Sequence, residues 1–316
     1  MKRQRHKASI AILAYPGVQQ AAVLGLADLF EVANRNSAAQ DSALLDIHIV
    51  SESDLENGEA PFFDAIILPP SLSQERRYEN PNILCWIKGR HQQGTTVCSI
   101  CAGAFWLGAC GLLDGRPVTT HWGLEEDLQR QFPKAEVNSE RILIDDHDIV
   151  SAGGLMAWID LGLFLVTRYL GQQITSATAR HLLIDPGGRD QKNYRSFRPI
   201  LHHGDHSILS VQHGLEKSYA DEVTVESLAV QAQMSSRTFL RRFKAATGLT
   251  PTIYLQNLRI EKARGLLERT RLPIGEVAWR VGYKDSSAFS RVFKEITGLK
   301  AGRYRERFSV LGGKQG

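Results

Sequence analysis

"LAVQAQMSSRTFLRRFKAATGLTPTIY" (residues 228–254) and "VAWRVGYKDSSAFSRVFKEITGLKAGRY" (residues 277–304) are two versions of one pattern. Ala229 matches Ala278 at an offset of 49. Phe239, Phe243, Thr247-Gly248-Leu249 and Tyr254 match Phe289, Phe293, Thr297-Gly298-Leu299 and Tyr304 at an offset of 50. One residue is therefore inserted at the turn between the helices, where slack is tolerated. An internal repeat of this quality marks one supersecondary unit used twice. Each copy predicts a short helix, a tight turn, a second helix and a Gly stop. Ser235 and Asp285 are expected N-caps of the second helices, because a short side-chain oxygen accepts from the free N–H groups of a first turn. Gly248 and Gly298 are the expected stops. Phenylalanines four apart share a helix face and point into the core of each unit. The outer face is left with Arg237, Arg241 and Lys244 in the first copy, and with Ser286, Ser287, Ser290, Arg291 and Lys294 in the second. This is a helix-turn-helix arrangement, whose second helix is shaped to enter the major groove. Leu255, Leu258, Ala263 and Leu266 line one face of a long helix between the copies. That helix would set the two reading helices on successive major grooves, about 34 Å apart. The plainer reading, a bundle with a solvated charged face, suits one copy better than two.

Working outward, 316 residues suffice for two or three domains, and 43% hydrophobic content is ordinary for a globular chain. Lacking 18 consecutive apolar residues, the chain is not expected to span a membrane. The net charge of +4 hides an asymmetry. Residues 214–316 hold 19 Lys/Arg against 10 Asp/Glu, whereas residues 1–213 hold 19 against 24. A basic third joined to a mildly acidic remainder suggests that one domain meets a polyanion and the other does not. Cys85, Cys98, Cys101 and Cys110 form neither a disulfide framework nor a zinc spacing, so a reducing cytoplasm is the expected location. The basic start MKRQRHK reads as a tail ahead of a first buried strand rather than as an export signal.

Strand-like runs at 8–15, 44–50, 62–68 and 95–100 alternate with helical patterns, and two short strands are expected around Asp145-Asp146. This alternation predicts an α/β domain with a parallel sheet, followed by an all-α domain with two helix-turn-helix units. Helices are expected at 81–94, 102–113 and 153–171. The expected domains are 1–190, a Gly/Pro/Asp-rich connector at 191–213, and 214–316.

The stretch CSICAGAFWLGACG (98–111) raises a different chemistry. A strand ending in Cys101, small residues beside it and a helix after it have the form of a nucleophile elbow, and a helix N-terminus can lower a thiol pKa. His121, 20 residues on, is a candidate base. The alternatives for Cys101 are the floor of a ligand pocket, a redox-sensing thiol, or a small buried residue. Trp106 reads as core. Asp160, in an apolar helix, pairs either with a ligand or with a backbone N–H. His202, His203, His206 and Asp205 suggest a metal at first sight, but no second ligand group follows at fixed spacing, so no metal is expected.

Residues 221–308 resemble the AraC/XylS-type DNA-binding domain, and GYKDSSAFSRVFKEITGLKAGRYR is close to that family's second-unit motif. Ala301 departs from it where the family usually has Pro, as Pro251 does in the first copy. The resemblance implies base contacts from Arg237, Leu240 and Arg241, and from Ser286, Ser287, Ser290 and Arg291. Arg241 and Arg291 are the best discriminators, because Arg binds guanine in a bidentate way. Lys244 and Lys294 are expected at phosphates or in solvent. SICAGAFWLGACGLLDGRPVTTHW (99–122), SAGGLMAWIDLGL and DPGGR–HHGD resemble the GlxA-type regulators. In these a PfpI-like domain of the class I glutamine amidotransferase-like fold precedes the AraC-type domain. The enzymes of that fold place His after the Cys, an acidic residue near position 22, or a Gly-Gly pair after the third strand. Here those places hold Ala102, Ala22 and Pro69-Pro70-Ser71, and Pro offers no N–H. The expectation is therefore a regulator and not an enzyme, with no cofactor. Its expected partners are a double-stranded DNA operator and a small metabolite, an amino acid or quaternary amine, bound near Cys101, His121 and Trp122. Trp122 would stack a cation. A homodimer is expected, with RNA polymerase as a further candidate partner and no membrane. A cysteine hydrolase or amidase tethered to DNA, and a thiol redox-responsive regulator, stay open beside it.

Overall fold

Buried apolar runs alternating with helices build the first of two units. The computed structural model describes residues 7–40, 42–56, 61–73, 78–185, 187 and 189–310. Residues 1–6 of the expected basic tail, and Pro186 and Gly188 of the DPGGR stretch, lie outside the described residues. The chain divides between Gln191 and Lys192. The strands are β1 Lys7–Ala14, β2 Leu44–Ser51, β3 Ala65–Leu68, β4 Thr96–Ile100, β5 Pro117–Val118, β6 Glu136–Val137, β7 Leu143–Asp146 and β8 Ile149–Ala152. Six of them form one sheet in the order β2-β1-β3-β4-β8-β7, and β5 pairs with β6 separately. Every pair in the large sheet is parallel except the β7–β8 hairpin. Parallel strands are covered on both faces, so β3 (AIIL) and β8 (IVSA) are buried at every residue.

Helix boundaries moved where glycine intervenes. The helix expected over 153–171 begins at Trp158, after Gly154 has turned the chain with φ +99°, and Gly171 at φ +88° divides it from a further helix, Gln172–His181. The helix expected after the cysteine is a 3-10 turn, Cys101–Gly103, followed by Ala104–Ala109.

The second unit starts earlier than expected. A helix spans His206–Ser218, beginning inside the expected connector, and its Ile208, Val211 and Leu215 are buried in the core around Phe239 and Phe243. The Gly/Pro-rich composition looked like a spacer, yet its polar groups are engaged. Arg264 of helix Pro251–Arg269 donates to the carbonyls of Arg195 and Lys192, and Glu261 accepts from the N–H of Phe197.

The repeat is reproduced in three dimensions. Val225–Gln231 and Ser236–Thr247 form the first helix pair, and Ile274–Arg280 and Ser286–Thr297 the second. Phe239 and Phe243 lie 5.4 Å apart by ring centroid, and Phe289 and Phe293 lie 5.5 Å apart. Tyr254 meets Phe243 edge-on, as Tyr304 meets Phe293. The long helix Pro251–Arg269 serves both cores, placing Tyr254 and Leu258 in one and Ile260, Ala263 and Leu267 in the other. Leu258 and Ala263 are buried as expected. Leu255 and Leu266 are only half-buried, because the helix must show a different face to each core. Helix Ala301–Phe308 begins at Ala301 without a proline.

Candidate functional site

The second helix of each pair is held at both ends by its own sequence. The Ser235 hydroxyl accepts from Thr238 N–H at 3.4 Å, and the Asp285 carboxylate accepts from the N–H groups of Ser287 and Ala288 at 2.9 and 3.1 Å. Those two bonds hold the Asp285 carboxyl below its ordinary pKa. Gly248 and Gly298 stop the helices at φ +75° and +76°. Thr247 and Thr297 complete each stop in the same way. Each hydroxyl donates at 2.7 Å to the carbonyl four residues back, and accepts at 3.2 Å from the N–H of the following leucine. The sequence comparison matched these threonines but gave them no task.

Between these stops the packing decides which residues face outward. Phe239, Phe243, Phe289 and Phe293 are fully buried. Arg237, Leu240, Arg241, Lys244, Ser286, Ser287, Ser290, Arg291 and Lys294 are all exposed. The Ser290 hydroxyl donates to the Ser286 carbonyl, which leaves its lone pairs outward. Several other cations of the unit are engaged. Arg242 forms two hydrogen bonds with Asp205, at 2.8 and 2.9 Å, and Arg280 pairs with Glu276 and Lys284 with Glu222. Arg237, Arg241, Lys244, Arg291 and Lys294 have no such acidic partner among the described residues. The histidine-rich segment is absorbed into structure. Asp205 caps helix His206–Ser218 through Ile208 N–H, and His203 bonds to Gln212 and to Asp205 N–H.

In the first unit Cys101 sits at φ +54°, the strained turn of an elbow, and is 4% exposed. Gly103 is required two residues later: a Cβ there would lie 2.1 Å from the Leu68 carbonyl oxygen. Neighbouring groups are committed to structure. The Tyr15 hydroxyl donates to the Pro69 carbonyl at 2.6 Å, and burial pushes its pKa well up. Gln19 N–H donates to the Pro70 carbonyl at 2.8 Å, and Ala22 is fully buried. Thr120 ties the following loop to the elbow, its hydroxyl donating to the Cys101 carbonyl at 2.7 Å. The His121 Nδ1 accepts from Gly123 N–H at 3.0 Å, and the ring lies 5.0 Å from Trp122 at a tilt of 32°. The structure thus joins Cys101 to the loop that carries His121 and Trp122, through Thr120. Trp106 is core, as expected. Asp160 pairs with the Arg189 guanidinium, not with a backbone N–H. Cys98 is fully buried in β4, which pushes its thiol up to about 12, and none of the four cysteines is in a disulfide. An open hollow of about 310 Å³ is lined by Phe105, Asp127, Arg130 and Gln131 and includes none of the three expected pocket residues. Sequence reasoning missed Tyr15 and Gln191, whose side chains reach partners 54 and about 70 residues away; no local pattern announces such contacts.

An elbow-bearing α/β unit followed by a doubled helix-turn-helix unit defines a class of two-part DNA-binding chains. Residues 9–168 match the DJ-1/PfpI family, and residues 228–307 match a helix-turn-helix domain. The chain belongs to the DJ-1/PfpI family, and its second unit is of the AraC type. It is 25% identical over 247 residues to the HTH-type transcriptional regulator GbdR of Pseudomonas aeruginosa, covering 78% of this chain and 67% of that one. It is 27% identical over 217 residues to the HTH-type transcriptional regulator GlxA of Rhizobium meliloti, covering 68% and 66%. Over 80 residues it is 44% identical to the HTH-type transcriptional activator RhaS of Escherichia coli, 25% of this chain and 29% of that one. The chain spans about two thirds of the length of the first two relatives.

Proposed function

We propose that this chain is a sequence-specific, DNA-binding transcription regulator whose DJ-1/PfpI unit binds a small metabolite. One observation carries the reading. Two helices with matched caps, stops and cores present Arg237, Leu240, Arg241 and Lys244, and Ser286, Ser287, Ser290, Arg291 and Lys294, to solvent, and their cations have no acidic partner among the described residues. Arg237, Leu240, Arg241, Ser286, Ser287, Ser290 and Arg291 contact bases, with Arg241 and Arg291 as the discriminators, and Lys244 and Lys294 meet phosphate. The names of the relatives, all HTH-type regulators, support it.

The metabolite belongs to the amino-acid or quaternary-amine class and sits near Cys101, His121 and Trp122. The site is not catalytic. Ala102 and Ala22 stand where a base and an acid would be needed, and the Pro69 and Pro70 carbonyls already accept from Tyr15 and Gln19. The chain acts as a homodimer in the cytoplasm. A metabolite that favours one arrangement of the dimer shifts how the reading helices meet an operator, and RNA polymerase is the downstream partner.

The test uses the full chain. A duplex selected from a random pool should bind more tightly than unrelated duplex, and an amino acid, betaine or polyamine from a screened panel should raise the melting temperature and change duplex affinity. Equal affinity for selected and unrelated duplex contradicts the reading of the helices. A panel without effect on either measurement contradicts the metabolite class.

A further inference from the structure

Gln191 lies in the stretch expected to be a spacer, yet it is 3% exposed. Its side-chain oxygen accepts from Trp122 N–H at 3.0 Å. Its amide nitrogen lies within donating distance of the Thr119 hydroxyl at 3.1 Å, the Thr120 carbonyl at 2.8 Å and the Arg141 carbonyl at 3.0 Å, so two N–H groups serve three acceptors. Its backbone N–H donates to the Glu140 carbonyl. Gly153 makes room for it: a Cβ on residue 153 would lie 1.9 Å from the Gln191 amide nitrogen. The Thr119–Trp122 loop is thereby clamped from two sides, by Gln191 and by the bond from Thr120 to the Cys101 carbonyl.

The next residues are anchored in the second unit. The chain crosses the division inside a single 3-10 turn, Gln191–Asn193. Arg264, 4% exposed in the long linking helix, donates to the Lys192 carbonyl at 3.4 Å and to the Arg195 carbonyl. Asn193 is buried, and its side-chain oxygen lies 2.8 Å from where a Cβ on Gly298 would sit, at the stop of the second reading helix. Gln191 is covalently continuous with a segment already fixed to the linking helix and to that stop.

We propose that Gln191 is a positioning residue that passes the state of the Thr119–Trp122 loop along the chain to the linking helix and the second reading helix. This deepens the regulator reading and rests on it. An occupant of the elbow region that displaces the loop also releases or tightens the grip on Gln191. The signal reaches the reading helix through covalent connection, and the coupling is a free-energy link between two sites.

Hydrogen exchange on the full chain tests this without effector or operator, so its failure is distinguishable from a failed metabolite screen. Thr120→Val removes the tie to Cys101 at nearly constant volume. In the Gln191 chain it should speed exchange several-fold in the loop, in residues 192–200 and around Gly298. In the Gln191→Ala chain the same change should speed exchange in the loop alone. Gly153→Ala, which displaces the amide while keeping Gln191, should uncouple the segments in the same way. Should Gln191→Ala unfold the first unit, Gln191→Glu keeps size and the acceptor for Trp122 while removing the donors. An equal response of residues 192–200 to Thr120→Val with and without Gln191, or a response in neither, overturns the proposal.

Discussion

Arg291 stands on the exposed face of its helix with no acidic partner among the described residues, whereas Arg242 and Arg280 of the same unit are held in ion pairs. A guanidinium left free in such a place costs the fold nothing to redirect toward a guanine. Arg291→Ala should therefore weaken binding to a selected duplex by about 1–3 kcal/mol and relax the preference at one base position, as measured by anisotropy with single-base variants of the duplex. An unchanged ratio of selected to unrelated affinity removes Arg291 from the readers. The outward residues of both reading helices were legible in the sequence, because helical period and the phenylalanine pairs fix which side faces the core. Cys101 was legible as an elbow, and its φ of +54° bears this out. The partners of Gln191 and Asp160 were not, because their contacts join residues at least 29 apart that no periodicity links.

At the scale of single elements, the two copies differ at the turn between their helices. Gln233 occupies the left-handed region at φ +56°, where the second copy has Gly282 at φ +88°. A side chain there costs about 1 kcal/mol, so Gln233→Gly should raise the stability of the chain by up to about that amount in urea melts. Gly282→Ala should do the reverse, because its Cβ would lie 2.6 Å from the Ala220 carbonyl oxygen. A second element-scale prediction concerns helix His206–Ser218. The Arg242 guanidinium, with the cap bond to Ile208 N–H, holds the Asp205 carboxyl below its ordinary value of 3.8. Below 3.8, down to the depressed value, the unfolded chain binds the proton and the folded chain does not. The stabilisation is therefore present above that interval and lost as pH falls through it. Asp205→Asn should cost about 1–2 kcal/mol near pH 7, and the gap to the unmodified chain should narrow near pH 3 in thermal melts. A gap independent of pH would show that the carboxylate charge is not what matters. This element was hidden because Gly, Pro and His made its start look like a spacer, and Arg242 lies 37 residues from Asp205.

At the scale of the whole molecule, charge is divided as the two units are. The second part carries the excess of Lys and Arg, and the first carries the excess of Asp and Glu. The two-part plan, the parallel sheet and the doubled helix-turn-helix were all legible, because strand alternation, repeat spacing and charge are properties of the chain itself. The placement of residues 192–213 in the second unit was not, because it depends on which unit each connector side chain packs into. The central claim is that the doubled basic unit grips duplex DNA through its phosphates as well as its bases. The most direct measurement is the affinity of the full chain for duplex across a salt series. Affinity should fall at least about tenfold between roughly 50 and 200 mM salt, linearly on logarithmic axes, and Lys244→Gln should reduce the slope by about one. Affinity that does not change with salt, or no binding at the lowest salt, contradicts the account.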